Sequence, residues 1–167
     1  MDFEQQLLEE NAEDTQHGRF LTFDLGEEDF GVEIKYVTEI IGLQPITNIP
    51  EVPDYIKGII NLRGLIIPVV DMRIKFKKEP IEYTSRTCIV VIETDGVRAG
   101  LIVDQVAEVL SINDEDIALP PNARTGIHNT YIKGIGKVDE QVKLLLDCEE
   151  LFSDNEAETL SQIKGEK

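Results

Sequence analysis

Three carboxylates stand where apolar runs end: Asp71 after Ile66-Ile67-Pro68-Val69-Val70, Asp104 after Leu101-Ile102-Val103, and Asp147 after Leu144-Leu145-Leu146. Two such groups facing each other across a cleft could share a proton and work as an acid–base pair. An aspartic protease would follow its Asp with Thr-Gly or Ser-Gly, whereas here the next residues are Met72, Gln105 and Cys148. The plainer reading is that each Asp ends a strand and binds a turn. His17 and His128 have no Ser or Cys beside them in a nucleophile setting. Gly134-Ile135-Gly136-Lys137-Val138-Asp139 lacks the third glycine of a dinucleotide fingerprint. Asn113-Asp114-Glu115-Asp116 lacks the central Gly and closing Glu of a calcium loop. Cys88 and Cys148 form no Cys-x-x-Cys pair, and two histidines are too few for a zinc site. Both cysteines read as small buried hydrophobes. The sequence therefore predicts no catalytic residue, no metal ligand and no cofactor. A hydrolase using Asp71 and Asp147, or a small-ligand barrel, is the competing reading, and protein binding leads.

Two features have the chemistry of recognition. Asn61-Leu62-Arg63-Gly64 puts a permanently charged, planar guanidinium beside a turn glycine. Such a group could hold a partner's carboxylate or carbonyl oxygens. Val37 and Ile40 are spaced i, i+3, as are Val106 and Val109. That spacing predicts short helical pieces over Lys35–Ile41 and Gln105–Leu110, with apolar stripes that could seat an amphipathic helix.

These residues need a frame, and the frame reads as mainly β. The chain has 21 Ile and 13 Val, and β-branched side chains pack well on a pleated surface. Phe20–Leu25 and Phe30–Ile34 flank the polar turn Gly26-Glu27-Glu28-Asp29. Cys88–Glu93 and Val97–Val103 flank Thr94-Asp95-Gly96, a hairpin signal. Leu65–Val70 and Val142–Leu146 read as buried strands, although Pro68 suggests an edge or a bulge. Ser153-Asp154-Asn155-Glu156 fits a capping box and predicts a C-terminal helix.

The chain also repeats itself. Tyr55-Ile56-Lys57-Gly58-Ile59 recurs as Tyr131-Ile132-Lys133-Gly134-Ile135, an offset of 76 at which Asp71 meets Asp147 and Phe76 meets Phe152. Upstream the offset is 69: Gly31-Val32 matches Gly100-Leu101, and Val37-Thr38-Glu39-Ile40 matches Val106-Ala107-Glu108-Val109. The difference implies a seven-residue insertion, placed in 111–130. Arg63 has no basic counterpart in the second half, where Gly136-Lys137-Val138-Asp139 stands. Two halves, about 20–76 and 89–152, are expected to share one strand plan. If each closed into a small barrel, the edge strands would be removed. The expected fold is two SH3-like, five-stranded β-barrel subdomains side by side, with short helices, a C-terminal helix, and a cleft lined by Val37 and Ile40 on one wall and Val106 and Val109 on the other.

Charge narrows the partners. The formal net charge is −17 over 167 residues, which disfavours nucleic acid and anionic membrane surfaces. Residues 1–18 carry six acids and no Lys or Arg, which predicts a solvated, disordered tail. The N-terminus has no basic and apolar leader, and the longest apolar runs are far shorter than a membrane span. A cytoplasmic location is expected.

Phe30-Gly31-Val32-Glu33-Ile34, Val37-Thr38-Glu39-Ile40 and the run from Tyr55 through Asn61-Leu62-Arg63-Gly64 to Asp71 resemble the CheW family of bacterial chemotaxis coupling proteins. Gly100-Leu101-Ile102-Val103-Asp104 and Glu108-Val109-Leu110 resemble it too, so the likeness covers about 19–152. The resemblance implies a non-enzymatic adaptor. It would join cytoplasmic tips of methyl-accepting chemoreceptors to the regulatory domain of the histidine kinase CheA, and be recruited to membrane-associated receptor arrays. It implies receptor contacts at Ile34, Val37, Glu39, Ile40, Gly58, Arg63, Val106 and Val109, and effects on kinase coupling at Cys88 and Gly100. A CheV-like protein would add a receiver domain. Residues after 152 leave no room for one, so a stand-alone adaptor is expected.

Overall fold

The computed structural model describes residues 17–119 and 131–151. The predicted acidic tail apart from its last two residues, most of the predicted insertion, His128, Phe152 and the predicted C-terminal helix lie outside the described residues. Among the described residues, eleven strands run in chain order: β1 Arg19–Leu25, β2 Glu28–Glu33, β3 Val37–Gly42, β4 Ile56–Leu62, β5 Leu65–Asp71, β6 Cys88–Thr94, β7 Val97–Val103, β8 Gln105–Ser111, β9 Ile117–Ala118, β10 Ile132–Val138 and β11 Gln141–Leu146. Two one-turn helices follow β5 and β11: α1, Met72–Lys75, and α2, Cys148–Leu151.

The strands form two sheets. One, of order β3-β6-β7-β5-β4, is built from a continuous stretch of chain; the other, of order β8-β1-β2-β11-β10-β9, is split between both ends. The sheets curl in the SH3-like manner without closing into complete barrels. The repeat halves do not each close on themselves, contrary to the sequence expectation. Hairpin β1–β2 joins strands of the second half, and hairpin β6–β7 joins strands of the first. The physical reason is strand direction. Each sheet has a parallel seam, β5 with β7 and β2 with β11. Short turns join antiparallel neighbours only, so a parallel neighbour must come from further along the chain.

The repeat nonetheless survives in the pairing. Val69 faces Gly100 across one parallel seam, and Leu145 faces Gly31 across the other. Bulges fall at matching places, between Ile56 and Gly58 and between Ile132 and Gly134. Asp71 N–H donates to Tyr55 O at 2.7 Å, and Asp147 N–H donates to Tyr131 O at the same distance.

Two sequence expectations fail locally. Residues 35–41 and 105–110 are not helical: a single 3-10 turn, Ile34–Tyr36, precedes strand β3, and Gln105–Ser111 is strand β8. Few residues separate an i, i+3 pattern from a bulged strand in so short a window, and β-branched content decides for the strand. Pro68 also lies inside its sheet, not at an edge. The two-residue turn makes Leu62–Leu65 a hydrogen-bonded pair, so the alternation leaves Ile59–Pro68 non-hydrogen-bonded. The proline nitrogen then faces β7, whose ladder starts one residue later at Val69.

Among the described residues, three hydrophobic clusters form the core. Ile60, Ile67, Val69 and Ile89 pack inside the continuous sheet, and Phe20, Ile112 and Leu145 inside the split one. The largest cluster lies between the sheets and takes Leu21, Phe23, Val32, Val70, Leu101 and Leu146 from both. The expected open cleft is thus filled with a packed core at its centre.

Candidate functional site

The three strand-end carboxylates are all used structurally. Asp71 Oδ1 accepts from the N–H groups of Arg73 (2.9 Å) and Ile74 (3.3 Å), capping α1, while its Oδ2 accepts from the Tyr83 hydroxyl at 2.8 Å. Asp147 Oδ1 caps α2 through Glu149 N–H at 3.0 Å and Glu150 N–H at 3.2 Å. Side-chain oxygens at this position satisfy backbone donors that a helix start leaves free. Asp104 accepts a bidentate pair from Arg73, Nε to Oδ1 at 2.8 Å and Nη2 to Oδ2 at 2.6 Å, and Oδ2 also accepts from Gly26 N–H at 2.7 Å. Burial pushes the Cys148 thiol up to about 12, which suits a packing residue. Among the described residues no group of His, Cys, Asp and Glu is placed to hold a metal ion, and no helix is long and apolar enough to cross a membrane.

The residues singled out for recognition fall into three settings. Ile34, Val37 and Val106 are half-buried against the cluster between the sheets. Ile40 and Val109 stand outside, 43% and 41% exposed. The i, i+3 pairs therefore do not share a stripe. In β3 inward and outward positions alternate, so Val37, Glu39 and Ile41 turn in while Thr38, Ile40 and Gly42 turn out. Exposed Leu43 and Leu65 were missed by the sequence reading. Leu65 directly follows the Arg63-Gly64 turn, and no sequence signal separates it from the buried residues of its strand.

Arg63 and Glu39 come together. Arg63 Nη2 donates to Glu39 Oε2 across the open seam of the continuous sheet, between β3 and the β4–β5 turn. Behind the pair, Thr47 and Ile59 exchange two backbone hydrogen bonds of 2.9 Å, which continue the closure. Gly58 permits this approach. Its φ is +148°, and a Cβ there would lie 2.0 Å from Thr47 O. Gly58 thus shapes the seam.

The backbone of Arg63 is informative. Its φ is +53°, the left-handed region, which costs a non-glycine residue roughly 1–2 kcal/mol. With Gly64 at +90° it makes the primed turn of a two-residue hairpin. Gly, Asn or Asp suits such a position better. The ion pair is a weak compensation, because the Arg63 side chain is 69% exposed and an exposed pair is worth about 0–1 kcal/mol. Neither the turn nor the ion pair explains an arginine here on stability grounds. What the arrangement achieves is a guanidinium held at the surface by one carboxylate, with donors still directed outward.

Cys88 opens strand β6, paired with Gly42 and Val103 at the end of the ladder, and Gly100 lies within β7 on the parallel seam with β5. Cys88 is half-buried, and its thiol donates to Arg86 O at 3.2 Å. Gly100 is buried on the parallel seam, where a Cβ would meet Ile89 Cγ2 at 2.6 Å and Val69 Cγ1 at 3.0 Å. Any effect of Gly100 on a partner would therefore pass through packing.

The comparisons agree with this geometry. Residues 19–156 match the CheW-like domain family. The chain is 36% identical over 152 residues to Chemotaxis protein CheW of Klebsiella aerogenes, covering 91% of this chain and 92% of that protein. It is 33% identical over 149 residues to Chemotaxis protein CheW of Treponema pallidum, covering 87% and 88% respectively. The crystal structure of the scaffolding protein TtCheW from Thermoanaerobacter tengcongensis superposes with a TM-score of 0.76 at 38% identity, covering 83% of this chain and 94% of that one. With its two repeat-related sheets, its Arg63-Gly64 turn and these matches, the chain belongs to the CheW family.

Proposed function

We propose that this protein is a non-enzymatic chemotaxis adaptor that couples chemoreceptor cytoplasmic tips to the regulatory domain of the histidine kinase CheA. In this reading it works in the cytoplasm, at membrane-associated receptor arrays. Family membership supports the adaptor role, and one structural observation carries the receptor site. That observation is Arg63, held in a strained turn and presented to solvent by Glu39. Exposed Ile40, on the strand that carries Glu39, adds an apolar contact of the kind a helical tip offers. Val109 occupies the repeat-equivalent position on β8 and extends the proposed receptor surface. Ile34, Val37 and Val106 support these positions from below, and Gly58 shapes the seam. Cys88 and Gly100 tune kinase coupling through the sheet behind them.

The test is an NMR titration of labelled protein with a receptor-tip fragment, then with the kinase regulatory domain. Receptor-induced shifts should cluster on 37–42, 63–65 and 106–110, and kinase-induced shifts elsewhere. Ile40→Asp and Arg63→Glu should each weaken receptor binding about tenfold or more while the spectrum stays dispersed. These exposed positions test binding better than Val37 or Val106, whose substitution would also disturb the core. Unchanged affinity in both variants would remove the receptor-site assignment. No shifts with either partner would remove the adaptor reading.

A further inference from the structure

A row of charged residues crosses the split sheet at one end. Asp24 on β1 stands directly opposite Asp29 on β2, and Asp29 stands opposite Lys143 on β11 across the parallel seam. Two residues further along each strand the same face carries Thr22, Gly31 and Leu145, so the row edges the cluster of Phe20, Ile112 and Leu145. Both aspartates are half-buried.

The repeat supplies an equivalent row in the continuous sheet. At the offset of 69, Asp24 and Asp29 correspond to Glu93 and Arg98; at 76, Lys143 corresponds to Ile67. Glu93 and Arg98 are also direct partners, and Arg98 donates to Glu93 Oε1 from Nε at 3.0 Å and from Nη2 at 2.6 Å. That row is a neutral ion pair beside a buried isoleucine. In the split sheet the arginine position holds a second carboxyl, and like charges directly opposite each other destabilise a strand pair.

One cation serves both carboxyls. Lys143 Nζ donates to Asp29 Oδ2 at 2.9 Å and to Gln141 Oε1 at 3.2 Å, and its side chain is only 7% exposed. On the other side, Asp24 Oδ2 accepts from Gln105 Nε2 of β8 at 2.6 Å, a neutral donor. β10 brings Gly136 opposite Lys143, so it adds no charge to the row. Arg86 and Asp104 border the cleft beside Asp24, and Glu27 and Glu28 the one beside Asp29. Asp104 is bound by Arg73 and Glu28 by Lys78. Two carboxyls and one ammonium leave the row one positive charge short of neutral.

We propose that Asp24 and Asp29 form a proton-sharing pair, and that a proton taken from mildly acidic solution fastens β1 to β2 at this end of the split sheet. Protonated Asp24 donates to Asp29, which stays ionised against Lys143. Without the proton the two carboxylates repel across the strand pair. The surroundings divide the two groups in that sense. Burial, with the hydrogen bond and charge of Asp29, raises the Asp24 carboxyl above its usual value against the opposing pull of Gln105 and Lys143. The Lys143 bond holds Asp29 below its usual value. A carboxyl raised in the folded state contributes stability that is fully present below the ordinary aspartate value and is lost as the pH rises through the raised one. This device lies within the chain and stands whether or not the proposed partners bind.

Carboxyl carbon NMR of the full-length protein, titrated from pH 7 to pH 3, tests it. Asp24 should titrate at a higher pH than Asp29, and the signal of each should also report the other's step. Asp29→Asn removes the opposing charge, so Asp24 should then titrate at a lower pH than in the native protein. Asp24→Asn keeps an oxygen for Gln105 and offers Asp29 an amide donor at every pH. Its melting temperature should exceed the native one at pH 7, and the difference should shrink as the pH falls toward the ordinary aspartate value, about 4. Coincident Asp24 and Asp29 midpoints, or an Asp24 midpoint unmoved by Asp29→Asn, would overturn the proposal. So would a melting-temperature difference between Asp24→Asn and the native protein that stays the same from pH 7 to pH 4, a result that holds even if Asp29→Asn fails to fold.

Discussion

The two equivalent hairpin turns, Arg63-Gly64 and Asp139-Glu140, share a left-handed first residue but differ in chemistry and at the second residue, where Gly64 has a positive φ and Glu140 does not. Arg63 and Asp139 occupy the same turn position, with φ of +53° and +56°. This registers Arg63 with Asp139 itself and Gly64 with Glu140, one residue on from the matching read in the sequence. Aspartate tolerates the left-handed region because its short side chain bonds locally; arginine has no such help. The second turn thus carries a residue suited to its backbone, and the first carries one suited to something outside the fold. Where two copies of one motif part ways, the copy that departs from local preference is the one to examine for function.

Three predictions sharpen this comparison of halves. The largest effect is at the seam glycines. Gly58→Ala would drive a Cβ to 2.0 Å from a backbone oxygen of Thr47 with φ at +148°, whereas at the equivalent Gly134 the nearest atom is Ile117 Cγ2 at 2.7 Å, a side chain that can shift. Urea unfolding should show Gly58→Ala losing more than about 3 kcal/mol and Gly134→Ala roughly 1–2 kcal/mol. Equal losses would mean that the two seams are closed alike.

The next effect concerns the Arg73–Asp104 pair. Arg73→Gln leaves a shielded carboxylate without its cation and should cost on the order of 2–3 kcal/mol. Burial acts to raise the Asp104 carboxyl, but the Arg73 bonds, Gly26 N–H and the charges of Arg73 and Lys78 outweigh it and hold the group below its usual value. A carboxyl lowered in the folded state contributes stability that is fully present above the ordinary carboxylate range. That contribution disappears as the pH falls through the lowered folded value. Melting temperature should therefore fall on acidification below about pH 4 in the native protein, and less steeply in Arg73→Gln. Parallel acid limbs in the two proteins would show that this pair does not set the slope.

The smallest effect returns to the turns. Arg63→Asn should raise stability by about 0.5–1 kcal/mol while weakening receptor-tip binding, and Asp139→Arg should lower stability by a similar amount. Chemical denaturation with a binding assay separates the two readouts. A destabilised Arg63→Asn protein would mean that the arginine serves the fold.

Much of the local structure was legible. Asp95-Gly96, with φ of +48° and +78°, makes the hairpin turn that its residue types predict. The runs ending at Asp71 and Asp147 are strands, and both Asp residues cap the turns that follow. The repeat offsets of 69 and 76 are those at which the strands pair, and only at the β4–β5 turn does the sequence matching slip, since the structure registers Arg63 with Asp139 and not Val138. The Arg63 block was singled out, but its partner Glu39 came from family resemblance, because nothing in spacing alone joins residues across a seam. The short apolar stripes were misread as helical, since period 2 with a bulge and period 3.6 coincide over so few residues.

The sequence by itself determined the β-rich character, the turn positions, the repeat and the family, because each is written in neighbouring residues: side-chain branching, turn chemistry and short motifs. Only the tertiary structure decided which hairpin completes which sheet, that Val37 and Val106 serve the core while Ile40 and Val109 face out, and that Arg73 grips Asp104. Those outcomes depend on parallel ladders and ion pairs between residues far apart in the chain. Direction and distance in space select them, and local composition carries no record of either.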